Sequence, residues 1–307
     1  MKPSLDIVIV NWNSGPQLRA CLESIAAAEL SALDLQRVVV VDNASQDGSA
    51  DGMAIPALPL NVLRNANNRG FGAACNQGAA TSDSDFILFL NPDARVFADT
   101  MGSAVRFMQG RGAAGICGVA LEDDDRHIHR SCCRLPKARE FLVKALGLDR
   151  LSHGVLRSYA MAEWSHDDTR QVDHVIGAFY LVRRAVYREL RGFDERFFVY
   201  LEDLDFSARA RAAGSECWFL SSVRAYHRGG GTSNRIKATR LFYSLRSRLQ
   251  YASKHLTRAG FGLLAIATLS IEPFVRISGA AVKGAWHQIP DTLEAYVHLW
   301  KWVLTKR

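Results

Sequence analysis

Residues 86–94 read FILFLNPDA. Five consecutive apolar residues without alternation have the pattern of a buried strand, the kind found in parallel sheets covered by helices. The run stops at Asn91-Pro92-Asp93. Proline lacks a backbone donor, and Asn and Asp favour turns, so the tripeptide closes the strand. It can also hold a carboxylate at a strand's carboxyl end, the edge where open α/β sheets bind ligands.

Segments on either side repeat the pattern. Residues 5–10 form another near-continuous apolar run, and Pro16 opens a helix with Leu18, Cys21, Leu22 and Ile25 at i, i+3, i+4 and i+7. Residues 37–41 (RVVVV) read as a buried strand ending at Asp42-Asn43, 60–63 as a shorter strand, and 70–80 as a helix of small residues. This order predicts an open, mostly parallel α/β sheet flanked by helices. Residues 120–170 are polar and irregular, which predicts loops. GAFYLVRRAVYREL (177–190) resumes strand and helix, and ECWFLSSVRAYHRGGGTSN (216–234) adds a strand and a glycine-rich turn. After residue 236 the pattern is helical. We expect a catalytic domain over 1–235 and a basic, amphipathic helical extension over 236–307.

The 307 residues are 48% hydrophobic and 22% charged, which excludes wholesale disorder. Six cysteines (Cys21, Cys75, Cys117, Cys132, Cys133, Cys217) show no CxxC spacing and read as reduced, buried thiols of a cytosolic protein. The start, MKPSLDIVIVNWN, has one lysine and a short apolar run broken by Asp6, so it reads as a strand rather than a signal peptide. The formal charge is +7, yet from residue 236 onward eleven Lys and Arg face three Asp and Glu. Residues 1–235 therefore sum to −1, and the basicity is C-terminal.

Three inferred strands end in polar residues: Asn11-Trp12-Asn13, Asp42-Asn43 and Asn91-Pro92-Asp93. At one edge of one sheet they converge on a crevice. The turn after the first strand, NWNSGPQ, carries no G-x-G-x-x-G, and GFGAAC at 70–75 is a partial match in another place. No Walker-type loop is present. A second constellation, FVYLEDLDFSARARAAG (198–214), crowds Glu202, Asp203 and Asp205 at a helix start. Such acids favour the helix macrodipole. A carboxylate against the preceding apolar-aromatic run would also have its pKa raised, which suits a general base. A third is His227, which precedes Arg228 and the glycines 229–231. Asp93 and His227 together are suitable donors for Mg²⁺ or Mn²⁺.

In this order, over about residues 5–235, the segments resemble family 2 glycosyltransferases of the GT-A fold, within their rhamnosyltransferase-like branch. IVIVNWN resembles the family's first strand and donor-base contact (Asn11, Trp12, Asn13), and VVVVDNASQDGS its second strand with the base-facing acid (Asp42). NRGFGAACNQG is similar to the helix beside the nucleotide and pyrophosphate (Asn68, Gly70, Asn76). LFLNPDA stands at the D-x-D-like metal motif, and YLEDLDFSARARAAG matches the E-D-x-D catalytic segment. The resemblance implies a nucleotide-diphosphate sugar donor, a divalent cation held by Asp93, and in-line attack by an acceptor hydroxyl with inversion. Asp203 is then the general base, with Asp205 a rival, and Glu202 orients the acceptor or structures the helix start. Asn91 replaces the motif's first aspartate, so weaker cation affinity and more dependence on the diphosphate are expected.

The C-terminal quarter places Leu241, Leu245 and Leu249 at helical spacing, with Arg240, Arg246, Arg248 and Lys254 interleaved. FGLLAIATLSI (261–271) is uncharged but short of the ~20 residues needed to span a bilayer. Trp286, Tyr296, Trp300 and Trp302 follow, with Lys301, Lys306 and Arg307 at the end. These helices either pack on the catalytic domain or lie in the headgroup region against anionic lipid. The second reading expects peripheral contact with the inner face of the cytoplasmic membrane. With no recognised nucleic-acid motif, no nucleic-acid partner is expected. The whole reads as transfer of rhamnose or a related sugar from a donor such as dTDP-rhamnose to a surface-polysaccharide or lipid-linked saccharide. A sugar-1-phosphate nucleotidyltransferase would need a basic glycine-rich first loop, which NWNSGPQ is not. A non-catalytic membrane- or nucleic-acid-binding protein would have no need of Asp42, Asp93 and Asp203 together.

Overall fold

The apolar runs at 5–10, 37–41 and 86–90 become inner strands of one sheet, because their side chains find helices or other strands on both faces. The computed structural model describes residues 2–148, 159–161, 163–227, 229 and 237–305. The chain divides into two units. One comprises Met1–Arg134, Trp164–Phe198 and Glu202–Thr232, and the other Leu135–Glu163, Val199–Leu201 and Ser233–Arg307.

The first unit starts with β1 (Ser4–Asn11), α1 (Gln17–Ala26), β2 (Asp34–Asp42), β3 (Leu60–Arg64), α2 (Phe71–Ala79) and β4 (Phe86–Leu90). Next come β5 (Ala94–Val96), α3 (Thr100–Gln109), β6 (Ala114–Glu122) and β7 (Cys132–Cys133). After α4 (Ala138–Ala145), which belongs to the second unit, it resumes with β8 (Arg170–Val172), β9 (His174–Val175), β10 (Phe179–Arg183) and α5 (Arg184–Glu189). It ends with α6 (Glu202–Ala212) and β11 (Glu216–His227). The sheet order is β3-β2-β1-β4-β10-β6-β11-β5, with β8 also beside β11, while β7 and β9 form a separate pair. Strands β1, β2, β3, β4, β6 and β11 run one way and β5, β8 and β10 the other. This is the open, largely parallel, helix-flanked sheet that the alternation predicts.

Alternation along the inner strands divides the core. Leu5, Ile7, Ile9, Val38, Val40, Leu88 and Leu90 meet the Leu18, Cys21, Leu22 and Ile25 face of α1. On the opposite face α2 approaches so closely that a Cβ on Gly78 would lie 2.5 Å from Val8 Cγ1 and 3.1 Å from Val41 Cγ2. Two irregularities position the site. Strand β10 reverses direction, so Phe179 pairs with Leu90 and its leading end shares an edge with the carboxyl end of β4. Strand β11 pairs with β6 in a register that shifts between Glu216 and Cys217 and again at a bulge between Leu220 and Arg224. Its first part also pairs with β8 and its last part with β5.

In the second unit, α4 interrupts the stretch read as loop, and the Lys137 N–H donates to Glu140 Oε2 at its start (3.0 Å). The unit continues with α7 (Lys237–His255), α8 (Arg258–Ile266), a π-helical turn (Ala267–Ile271), α9 (Glu272–Val282) and α10 (Gln288–Thr305). Leu245, Leu249, Tyr296 and Leu299 form a buried cluster. Glu272 is buried and takes both Arg248 and Arg276 as partners. The length of the helix corrects the expectation of a segment too short to cross a bilayer. The uncharged run stops at residue 271, but the helical stretch Arg258–Val282 is 25 residues, and an 18-residue window of it has a mean hydropathy of 1.5, long and apolar enough to cross a membrane by length and composition. Lys306 and Arg307 lie outside the described residues.

Because Gly78 sits against two valines, Gly78→Ala should destabilise the first unit by about 1–3 kcal/mol, read as a lower urea midpoint. Val8→Ala should cost less in the Gly78→Ala background than alone, since it removes the clashing methyls.

Candidate active site

The carboxyl ends of β1 and β2 lie side by side, with Asn11 paired in register with Asp42. Asn11 is fully buried, and its amide donates to Asp42 Oδ1 (2.8 Å), Ser45 Oγ (3.0 Å) and Ser49 Oγ (2.9 Å). Asn13 has φ +51°, and its side chain accepts from the Gln46 N–H (2.7 Å). These bonds fold residues 43–49 against the edge, with Trp12 half-buried between Asn11 and Asn13. Asn43 is a second hub. Its amide donates to Asn68 Oδ1 (2.9 Å) and the Gly70 carbonyl (3.1 Å), and its oxygen accepts from Asn65 Nδ2 and the Arg69 N–H.

Asn68 Oδ1 also accepts from the Gly70 N–H (2.9 Å). Gly70 has φ +87°, and a Cβ there would fall 2.3 Å from the Phe198 carbonyl oxygen, so only glycine fits. The same carbonyl accepts the Phe71 N–H (2.7 Å), capping the start of α2. Asn76 uses every bonding position of its amide. Its oxygen accepts from Tyr187 Oη (2.6 Å) and the Phe193 N–H (2.8 Å), and its nitrogen donates to the Phe193 carbonyl and Glu195 Oε1.

At the end of β4 the Asn91 N–H donates to the Ala178 carbonyl (3.0 Å), and the Ala94 N–H returns to the Asn91 carbonyl (3.0 Å), closing a turn. Ala94 then pairs with His227, which brings Asp93 Oδ1 within 3.3 Å of His227 Nε2. Asp93 lines a cleft of about 340 Å³ with Pro16, Gln17, Arg95, Asp124 and Tyr226. Arg95 stacks on Tyr226 (3.8 Å), whose hydroxyl donates to Asp124 Oδ1 (2.7 Å). His129 lies close by, its ring centroid 6.2 Å from that of His227. Its Nε2 is buried and has no hydrogen-bond partner among the described residues. A carboxylate and an imidazole this close are donors suited to Mg²⁺ or Mn²⁺, while among the described residues the three side chains whose ligand atoms lie within 4.8 Å of one another are Asp123, Asp125 and His127. Gly230 and Gly231 of the predicted glycine run lie outside the described residues.

The three acids of α6 have three different surroundings. Asp205 is fully buried and grips Arg209 (2.8 Å), whose other nitrogens donate to the Leu190 and Gly192 carbonyls. Glu202 is buried, and its Oε2 has no partner among the described residues. Burial pushes its carboxyl well above the usual carboxylate range, and the Asp203 and Asp205 charges add to the push. Asp203 alone is partly exposed, at 18%. It accepts the Gly177 N–H on Oδ2 (2.8 Å) and the Leu204 N–H on Oδ1 (2.8 Å). Just before the helix, Tyr200 and Leu201 both have left-handed backbones, at φ +70° and +65°. Sequence reasoning missed His174, whose Nε2 is 3.7 Å from Asp203 Oδ2, as well as Ser207, Tyr180, Arg95 and His129. A signal for His174 existed, since it is a polar residue inside the apolar run VDHVIGAF.

The structure therefore brings Asn11 to Asp42, Asn68 to Gly70, and Asp93 to His227. It joins the Asn91 turn to Asp203 through Gly177-Ala178. It does not bring Asn76 into these groups, because that side chain ties α2 to the loop at 193–195.

A family model described as "Glycosyl transferase family 2" matches residues 6–191. The chain is 26% identical over 254 residues to an N-acetylglucosaminyl-diphospho-decaprenol L-rhamnosyltransferase of Mycobacterium tuberculosis, covering 78% of this chain and 81% of that protein. It is 25% identical to rhamnosyltransferase WbbL of Escherichia coli K12, over 56% of this chain and 63% of that protein. Among solved structures, it resembles the mannosyltransferase PcManGT of Pyrobaculum calidifontis in complex with GDP-Man and Mn²⁺ (TM-score 0.59, 17% identity, covering 100% of this chain and 89% of that one). It also resembles S. aureus TarS in complex with UDP-GlcNAc (TM-score 0.56, 18% identity, covering 96% and 79%). These likenesses show a GT-A fold.

An acid whose pKa rises on folding takes up a proton as it folds, so it weakens the fold as pH climbs from its ordinary value near 4.5 toward its folded value. Glu202→Gln removes that slope. The variant should gain stability relative to the parent between pH 5 and pH 8, measured by urea unfolding at both.

Proposed function

Since the chain belongs to glycosyl transferase family 2, we propose that it transfers L-rhamnose or a related sugar, with inversion, from a nucleoside-diphosphate donor to a hydroxyl of a lipid-linked saccharide. The observation that carries this reading is the strap at residues 177–178. Ala178 accepts from Asn91 and Gly177 donates to Asp203, so a cation-binding turn and a carboxylate flank two residues. Sugar transfer needs this pairing, with charge neutralised at the leaving group and a proton taken from the attacking group.

Asp203 is the base. It is the only one of the three α6 acids that is partly exposed, and its two backbone donors leave lone pairs for an acceptor hydroxyl. Asp205 is locked to Arg209 and Glu202 is buried, so neither is a nucleophile, and a single displacement follows. Asp93 and His227 would hold the cation together with the donor's own diphosphate oxygens. When bound, a divalent cation neutralises charge developing on the leaving diphosphate. Arg95 at the cleft rim adds a fixed positive charge. Trp12 and Asp42 face the nucleotide base, while Asn11, Asn68 and Gly70 build the walls around it. Lipid-linked and rhamnosyl specificity rest on the names of the relatives.

The reading places the enzyme on the inner face of the cytoplasmic membrane through its basic C-terminal segment. Exposed apolar side chains concentrate there: Leu263, Ile266, Phe274, Val282, Trp286 and Leu304. Such a surface suits the headgroup region, with the cations meeting anionic lipid.

Asp203→Asn should lower transfer by about 10²–10⁴-fold while thermal stabilisation by dTDP or UDP with Mn²⁺ persists. Full activity in a folded variant would sink the base assignment. In flotation assays the protein should bind vesicles containing anionic phospholipid, and the pair Phe274→Ser and Trp286→Ser should release it. Equal binding to purely zwitterionic vesicles would refute the electrostatic part.

A further inference from the structure

Behind Asp203 runs a buried line of polar side chains that the reaction as described does not use. His174, on β9, is 3% exposed. Its Nδ1 is 2.9 Å from Ser207 Oγ, and Ser207 Oγ is 2.7 Å from the Tyr180 hydroxyl. The Tyr180 hydroxyl also reaches the Asp203 carbonyl oxygen (3.3 Å). Ser207 and Tyr180 are themselves buried. Three strongly polar groups so deep in an aromatic core would be costly unless they bonded to one another in a consistent direction.

Two directions are open along this line, because the Tyr180 hydroxyl can give its one proton either to the Asp203 carbonyl or to Ser207. Burial lowers the His174 pKa, against the pull of Asp203 and Asp173, so the imidazole is neutral at pH 7 and carries one N–H. A lone pair on Nε2 would face the Asp203 carboxylate, which favours the direction in which Tyr180 donates to Ser207, Ser207 donates to Nδ1 and the imidazole proton sits on Nε2, with the longer Tyr180–Asp203 carbonyl bond given up. That nitrogen is 3.7 Å from Asp203 Oδ2, the oxygen that already accepts the Gly177 N–H. At this distance the contact is electrostatic. It becomes a hydrogen bond with less than 1 Å of side-chain movement, as such contacts commonly do once substrate is bound.

We propose that His174 is a positioning residue for Asp203, held as the Nε2–H form by Ser207 and Tyr180 so that its donor fixes the Asp203 carboxylate in both orientation and charge. The proposal rests on Asp203 being the base. The other groups facing these two are Glu202, Asp205 and Leu204 on α6, Cys75 on α2, Gly177 and Tyr180 at β10, and Asp173 beside His174.

A donor facing a carboxylate stabilises its charged form, so removing it raises the carboxylate's pKa. His174→Phe should lower kcat on the order of 10- to 100-fold with KM little changed, and should move the acid limb of the kcat profile to higher pH. His174→Gln, which restores an N–H, should recover part of both effects. Ser207→Ala and Tyr180→Phe should shift the limb the same way by a smaller amount. A His174→Phe protein with a lowered Tm but an unmoved acid limb would overturn the proposal, leaving His174 a packing residue. If His174→Phe fails to fold, the Gln and Ser207→Ala variants decide by the same limb. Asp203→Asn, measured alongside, separates the two claims. Full activity there defeats the base assignment itself, whereas loss there with an unmoved limb in the His174 variants defeats only this inference.

Discussion

The site depends on the reversal of β10. Within a wholly parallel sheet, each strand delivers only its trailing end to the ligand-binding edge, and a crossover then carries the chain away. Because β10 runs against β4 and β6, its leading residues arrive at that edge instead. Those residues, Gly177 and Ala178, have free backbone groups just where β4 and α6 end and begin. One carbonyl takes the Asn91 N–H, and one N–H goes to Asp203. A Cβ at 177 would sit 3.2 Å from Asp203 Oδ2, so glycine lets the carboxylate approach closely. Two functions read separately in sequence are joined by a pair of main-chain bonds.

A framework of asparagines stiffens the rest of the edge. Asn11, Asn43 and Asn76 each use both ends of the amide to bind segments far apart in sequence. Asparagine suits this work because it donates and accepts without adding charge. Bonds that are fully satisfied within the chain hold loops still before a ligand arrives, which lowers the ordering cost of binding. Asp93 and Asp203 stand outside this framework of asparagine bonds, and both remain partly exposed.

Much of this was legible beforehand. The run FILFL is a strand with the bounds its apolar residues suggest, and the helix face of Leu18, Cys21, Leu22 and Ile25 is buried as its spacing requires. The pairing of Asp93 with His227 was legible as donor chemistry. What sequence could not give was direction and partner. FYLVR reads alike in a parallel and an antiparallel strand. Asn76 looked like a ligand contact because its partner at Phe193 is 117 residues away. Glu202 and Asp205 differ from Asp203 only in which way the helix turns them. His174 drew no notice because Ser207, which holds it, is a helix residue 33 positions later.

The bulge in β11 has an evolutionary consequence. The strand meets β8 before it and β5 after it, and the register against β6 restarts at Arg224. Residues 221–223 are the slack between two separately anchored halves. Insertions or deletions that lengthen or shorten this slack are absorbed there, and the half ending in His227 keeps its alignment with Ala94. A change in the length of the strand's middle therefore leaves the end that pairs His227 with Ala94 in place.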